Sequence, residues 1–359
     1  MVKQILIIMT WHGIDAIEGA FRRTQHALIE PFDFWKWLKL GIIAFLIGGG
    51  GGGSGGGGGS SNYGNNMPNP IGEDNLFSST DGVIESISQF WNQYVLFIII
   101  FVGLIICIIL LFSYISSLME FVFVESLVTN VVAFWAYSRK YLGLGFNLFI
   151  IRLILGLSLF LLFIVAMLPI LIPVFNTLNA HGTIDPKLII PGMLWFILVL
   201  FVFAIACGII NSFINLSIPL AMYRNIGIIT AFSNIFNAFK SDWKQIIVYW
   251  VLRFMLSLVI GFVMLIISLV FIFVIIIAAF AFVLILYSIL SALGQGIGDV
   301  LFWMFMIPFG AIVIAIVLMT FIFIYVPASV FTKYYMLTFL ENWYTDVKIP
   351  FSTDVNGNH

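Results

Sequence analysis

Long apolar runs alternate along the chain with short segments that carry most of its charged residues. Most of these runs reach about 20 residues, the length that an α-helix needs to cross the hydrocarbon core of a bilayer. A helix satisfies its backbone hydrogen bonds internally, as a membrane span must. The pattern predicts an all-α, polytopic transmembrane helical bundle with about six spans, near residues 34–49, 94–115, 146–175, 191–218, 246–288 and 300–326.

The segments between the runs show a pattern typical of helices at a membrane surface. In residues 11–30, apolar side chains recur at helical spacing and charged side chains take the opposite face. This segment is either an interfacial helix or a packed surface helix of a small cytosolic cap. We expect Pro219 and Pro327 to end the spans before them. The pattern thus predicts cytoplasmic amphipathic elbow helices at residues 11–30, 116–141, 219–244 and 328–344.

Residues 246–293 are too long for one helix perpendicular to the membrane, and they carry no charge after Arg253. They form either one tilted or kinked helix or two spans joined by a tight turn; a total of six spans favours a single crossing. The elbows also share a weak similarity, which predicts an internal hairpin repeat unless the match is due to chance. The alignment rests on three Ala-Phe pairs, Ala20-Phe21, Ala133-Phe134 and Ala231-Phe232.

A glycine-rich stretch interrupts the chain at residues 48–82 and is typical of a flexible, extracytoplasmic linker. A phosphate-binding glycine loop is disfavoured, because no Lys-Ser/Thr pair follows and no strand precedes it. The remainder is interpreted as one integral membrane domain, residues 1–347, followed by a polar tail at residues 348–359.

Composition supports this interpretation, since 62% of the residues are hydrophobic and only 9% are charged. A soluble domain is about half apolar and a quarter charged. The net charge of -1 gives no reason to expect a nucleic-acid partner. Basic residues concentrate in the elbows, whereas the glycine-rich stretch contains acidic residues and no basic one. This bias predicts a multi-pass protein of the cell membrane with cytoplasmic N- and C-termini, which requires an even number of spans.

Few residues in the apolar runs carry polar chemistry. Lys39, Arg152 and Arg253 are the ionisable residues nearest the membrane interior; they either extend to lipid phosphates or line a solute pathway. Asn211 and Asn215 lie one helical turn apart, so they either hydrogen-bond another helix or line a permeation site.

No catalytic motif is present in the sequence. The four histidines are scattered without metal-ligand spacing, and no Ser-His-Asp or paired-carboxylate signature occurs. We therefore predict no catalytic residue, no metal and no cofactor. Cys107 and Cys207 both lie in apolar runs, which favours small residues buried in the membrane over a disulfide.

The segment Phe331-Thr-Lys-Tyr-Tyr-Met-Leu337, together with residues 11–40 and the following glycine run, resembles an uncharacterised family of prokaryotic, mostly archaeal, polytopic membrane proteins. That family is similar to the membrane domain attached to glycerophosphodiester phosphodiesterases. The resemblance implies several spans with cytoplasmic amphipathic elbows. It implies no phosphodiesterase activity, because that chemistry would belong to a separate soluble domain whose acidic and histidine metal ligands this chain lacks.

These observations predict a non-enzymatic integral membrane protein that acts as a lipid-associated scaffold or accessory subunit. Its expected partners are membrane lipid and either another protein or a second copy of the chain. The alternative is a transporter or channel for an unidentified solute or lipid, in which the prolines and asparagines within the spans line a path.

Overall fold

The computed structural model describes residues 12–30, 32–49, 80–181, 186–294, 296, 298–344 and 347–351. Within these ranges the chain forms eight α-helices and no β-strand. The predicted linker therefore lies largely outside the described residues, as does the tail after residue 351. The helices are α1 (His12–Leu28), α2 (Phe34–Gly49), α3 (Thr80–Val128), α4 (Phe134–His181), α5 (Pro186–Arg224), α6 (Ile228–Ser241), α7 (Trp243–Ala292) and α8 (Val300–Trp343).

Five of these helices, α3, α4, α5, α7 and α8, are long and apolar enough to cross a membrane. They contain 39 to 50 residues each, or about 58–75 Å at 1.5 Å per residue. The prediction of an all-helical membrane protein with several spans is confirmed. The remaining predicted span, residues 34–49, corresponds to α2. This helix has only 16 described residues, so the total of six spans stays a prediction.

The helices are more continuous than the sequence pattern predicts. Residues 246–292, for which the sequence allowed either one or two membrane crossings, belong to a single helix, α7, and no tight turn divides it. Pro219 and Pro327 both lie inside helices, so neither breaks its helix as the sequence pattern predicts; where the membrane spans end stays a prediction. Proline is tolerated within membrane helices because neighbouring helices and local adjustments satisfy the carbonyl that it frees.

The chain turns after α3 and after α5 at asparagines with positive φ, and not at the prolines. Asn130 (φ 58°) follows α3, and Asn225 (φ 56°) follows α5. Asparagine adopts this left-handed conformation at lower cost than most residues do, so it can reverse the chain after a helix. Two of the four predicted elbows contain a separate short helix: residues 11–30 contain α1, and residues 219–244 contain α6. Residues 116–141 instead cover the end of α3 and the start of α4, and residues 328–344 continue α8.

The packed core of the chain lies at one end of the long helices, called here the packed end. Lipid is as apolar as the side chains, so burying them against each other in the membrane brings little gain. In the most apolar stretches of α3, α7 and α8, accordingly, no residue is buried. The packed end comprises α1, α2 and α6 with residues 116–128 of α3, 134–148 of α4, 209–224 of α5, 243–256 of α7 and 325–344 of α8.

Helix α1 packs mainly against α8, through small side chains rather than through its large apolar ones. Ala16 and Ala20 are fully buried, whereas Ile14 and Phe21 are more than half exposed. Small residues let two helix backbones approach closely. Part of the apolar face predicted from the sequence therefore stays on the surface, while Leu28 is buried together with the small residues.

A charged contact fastens α1 to the C-terminal end of the chain. The Arg23 guanidinium donates hydrogen bonds to Thr338 Oγ1 at 2.9 Å and to Glu341 Oε2 at 3.2 Å. The same guanidinium lies 3.6 Å from the centre of the Phe351 ring, a cation–π contact. The two ends of the described chain are thus held together at the packed end.

Helices α3 and α4 cross closely at Gly145, and a bulky substitution there is expected to destabilise the protein. A Cβ atom at this position would lie 3.1 Å from the Cα atom of Leu118, whereas a Cβ atom at Gly143 would meet nothing within 4 Å. We expect Gly145→Leu to lower the free energy of unfolding by about 1–3 kcal/mol. Gly143→Leu is the matched control. Equal thermal unfolding temperatures for the two variants in detergent would contradict this close contact.

Candidate functional site

A cavity of about 900 Å³ lies at the packed end, between residues of α2, α3, α5, α7 and α8. Most of its wall is apolar, but several polar and charged side chains reach it. Pockets with apolar walls and a few convergent polar groups are the usual form of a ligand site. The principal polar lining residues are Glu120, Asn211, Ser212, Arg253 and Lys333.

The lining changes from polar to apolar along the helix axes. On each of three helices, a polar lining residue lies toward the packed end and an apolar one lies toward the exposed lengths of the spans. On α7 these positions are 11 residues apart, or about 16 Å. The pairs are Asn211 and Ile205 on α5, Arg253 and Met264 on α7, and Lys333 and Ala328 on α8.

Side-chain hydrogen bonds join the helices around the cavity. In a membrane such bonds hold helices together, since lipid offers no alternative partner. They set the spacing of α2, α3, α5, α7 and α8 and thereby the width of the cavity. Trp250 Nε1 donates to Ser212 Oγ (2.9 Å), Ser116 Oγ donates to the Ile47 carbonyl (2.9 Å), and the Tyr334 hydroxyl donates to the Leu127 carbonyl (2.8 Å).

The carboxylate of the site belongs to a buried ion pair. Arg152 Nη2 lies 2.7 Å from Glu120 Oε1, and the two side chains are only 12% and 1% exposed. Glu120 Oε2 and Arg152 Nη1 are also buried, and within the described part of the chain they have no hydrogen-bond partner. One acceptor and one donor of this pair are therefore free to bind a further group.

Among the residues that the structure describes around the cavity, basic groups outnumber acidic ones. Lys333 interacts electrostatically with Glu120, Arg152 and Arg253, which places all four in one cluster. Arg253 Nη1 also donates to the Tyr249 hydroxyl at 3.3 Å. Within the described residues, Arg152, Arg253 and Lys333 surround the carboxylate of Glu120, so the site is suited to an anion.

Three of the five predicted site residues come together here. Arg253 and Asn211 line the cavity, and Arg152 is joined to it through Glu120. Asn215 is buried beneath the lining, with its Nδ2 3.5 Å from Asn211 Oδ1, a helix-internal contact. Lys39 is exposed on α2 and does not line the cavity. Contact of the basic residues with lipid phosphate stays a prediction.

Two residues of the site were not predicted from the sequence. Lys333 lies in an elbow that the sequence assigns to the cytoplasmic surface, and Glu120 lies in another elbow, 213 residues earlier in the chain. The sequence did contain a signal for both residues, because each is a charged residue within a strongly apolar stretch. Such a charge is costly in a membrane unless it is paired or has a functional role.

A metal site is not apparent in the described ranges, where no three His, Cys, Asp or Glu side chains come together. The predicted absence of a metal stays a prediction for the whole chain. Cys107 and Cys207 are free thiols, and both are exposed on the helix surface.

The fold and the cavity define a multi-pass α-helical membrane protein with a basic cavity at one end of its spans. Its sequence matches a family model described as "Family of unknown function (DUF7544)" over residues 11–349, and the chain belongs to this family. No curated protein and no solved structure matches the chain.

Proposed function

We propose that this protein is a non-enzymatic, lipid-associated scaffold or accessory subunit of the cell membrane. The observation that carries the proposal is the exposure of the long apolar helices outside the packed end. Large apolar side chains cover their surfaces, including Phe262, Val270 and Phe273 of α7, each more than half exposed. A lipid environment solvates such surfaces, whereas a conduction pathway needs helices that close around it.

The proposed orientation places the packed end at the cytoplasmic face, because it carries most of the basic residues. Both termini then lie in the cytoplasm, and α2 would complete an even number of spans. Helix α1 would face the lipid headgroups, since exposed Ile14 and Phe21 lie beside the exposed Arg22. An apolar face flanked by basic residues is typical of interfacial helices.

The alternative function is transport of a solute or lipid, and the basic cavity is the observation that favours it. Many transporters bind their substrates between helices within the membrane. In that case the cavity would extend, in some conformation, to the opposite face of the bilayer along α5 and α7.

Cysteine accessibility distinguishes the two functions. In a background with Cys107→Ala and Cys207→Ala, single cysteines are introduced at Ser268, Ile272 and Ile275, which are partly buried and continue the cavity-lining face of α7 beyond Met264. The full chain is reconstituted in liposomes and treated from each side with a membrane-impermeant maleimide. We expect these three positions to be protected from both sides, while a cysteine at the exposed Lys244 is labelled from one side. Labelling of the deep positions would replace the scaffold proposal with the transporter.

A further inference from the structure

We propose that the cavity at the packed end binds an anionic phospholipid, with the headgroup at its polar end and the acyl chains at its apolar end. This inference rests on the proposed lipid-associated function and names the lipid class. It differs from contact between surface lysines and the general bilayer, because the binding groups lie inside a cavity formed by several helices.

The charge of the cavity favours an anion. Arg253 and Lys333 line the wall, and Arg152 lies behind Glu120 with a buried Nη1 that has no hydrogen-bond partner in the described chain. A phosphate group accepts strong, charge-assisted hydrogen bonds from arginine and lysine. It would accept such bonds from the basic side chains that line the cavity beside Glu120.

Glu120 also bears on the kind of headgroup. Its Oε2 is buried at the cavity and makes no hydrogen bond within the described residues. A buried carboxylate oxygen is stabilised by a donor, so a headgroup hydroxyl next to the phosphate would satisfy it. Phosphatidylglycerol carries both groups, whereas phosphatidylcholine has a cationic headgroup without a hydrogen-bond donor.

The length of the cavity matches one leaflet. The distance from Arg253 to Met264 along α7 is about 16 Å, and half of a hydrocarbon core is about 15 Å. The apolar end is open toward the exposed surfaces of the spans, where Ile205 is 49% exposed. Acyl chains can therefore enter from the bilayer. Free phosphate would make no use of this apolar wall, and so the lipid is the better occupant.

The test is a native mass-spectrometry titration of the full chain, purified and delipidated in mild detergent, with phosphatidylglycerol, phosphatidylcholine and inorganic phosphate as probes. We expect tighter binding of phosphatidylglycerol than of phosphatidylcholine. The double variant R253Q/K333Q should weaken phosphatidylglycerol binding about tenfold or more, because two charge-assisted contacts are lost. The control K240Q/K244Q removes two exposed lysines at the same end and should leave binding unchanged.

A second variant tests the apolar end without altering charge. Gly261 lines the cavity, and a Cβ atom there would meet nothing within 4 Å, so Gly261→Trp would fill the space for acyl chains. We expect it to weaken phosphatidylglycerol binding, whereas Gly103→Trp, at an open position on α3, should not. If R253Q/K333Q fails to fold, Gly261→Trp still tests whether the cavity binds phosphatidylglycerol.

Two outcomes would overturn the inference. Equal binding of both lipids, unaffected by R253Q/K333Q, would identify them as ordinary surrounding lipid. Displacement of phosphatidylglycerol by inorganic phosphate, with Gly261→Trp unaffected, would identify a free-phosphate site. Neither outcome changes the cysteine labelling, so failure of this inference is distinguishable from failure of the scaffold proposal.

Discussion

Replacing Glu120 by leucine is expected to lower the free energy of unfolding by about 3–5 kcal/mol, because it leaves Arg152 buried without its carboxylate partner. The pair is short, at 2.7 Å, and Glu120 is only 1% exposed. Arg253 and Lys333 belong to the same cluster, so removing the shared carboxylate also increases their mutual repulsion. Thermal and denaturant unfolding of the detergent-purified protein would measure the loss.

The double variant E120L/R152L separates a lost charge pair from lost packing. Removing both partners of a buried ion pair is often nearly neutral, since neither charge then remains desolvated. We expect the double variant to be more stable than Glu120→Leu alone, while Glu18→Leu on the exposed face of α1 should cause little change. A double variant as unstable as the single one would show that packing, not charge, dominates at this site.

Replacing Tyr249 by alanine is expected to have a similarly large effect, about 3–5 kcal/mol, because it opens a cavity in the core of the packed end. Tyr249 is fully buried. Its ring stacks on Phe339, with centroids 4.2 Å apart, and on Tyr335, with centroids 5.6 Å apart. It thereby joins α7 to α8.

The matched control for this prediction is Phe262→Ala on the same helix. Phe262 is 66% exposed and would contact lipid or detergent, so its loss should be nearly neutral. Tyr249→Phe isolates the hydroxyl that receives the hydrogen bond from Arg253. Equal unfolding temperatures for the two alanine variants would contradict the assignment of the stabilising core to the packed end.

The pattern of apolar runs located the long helices well but their ends poorly. A run of apolar residues predicts a span whatever surrounds it, because bilayer thickness sets the requirement. Where a helix stops depends on local conformation: α3 stops before Asn130, and α5 continues past Pro219 to turn at Asn225. The sequence pattern alone predicts that proline ends a helix, although proline is tolerated within helices in a membrane.

The site was predicted in part for a related reason. Arg152, Arg253 and Asn211 stood out because polar groups are rare in apolar runs. The sequence did not show that these residues lie together. Lys39 is also a charged residue in an apolar run, although it lies outside the cavity. Glu120 and Lys333 lie far apart in sequence, and only the packing of α3 against α8 brings them into one cluster.

The sequence by itself determined that this protein resides in a membrane as a set of long helices, because composition and run length depend on no contact between distant residues. Only the tertiary structure decided that the core lies at one end of the spans and that Arg152, Arg253 and Lys333 lie around the buried carboxylate of Glu120 there. Apolar side chains satisfied by lipid do not specify their neighbours, so the few polar and small residues at the packed end select the arrangement.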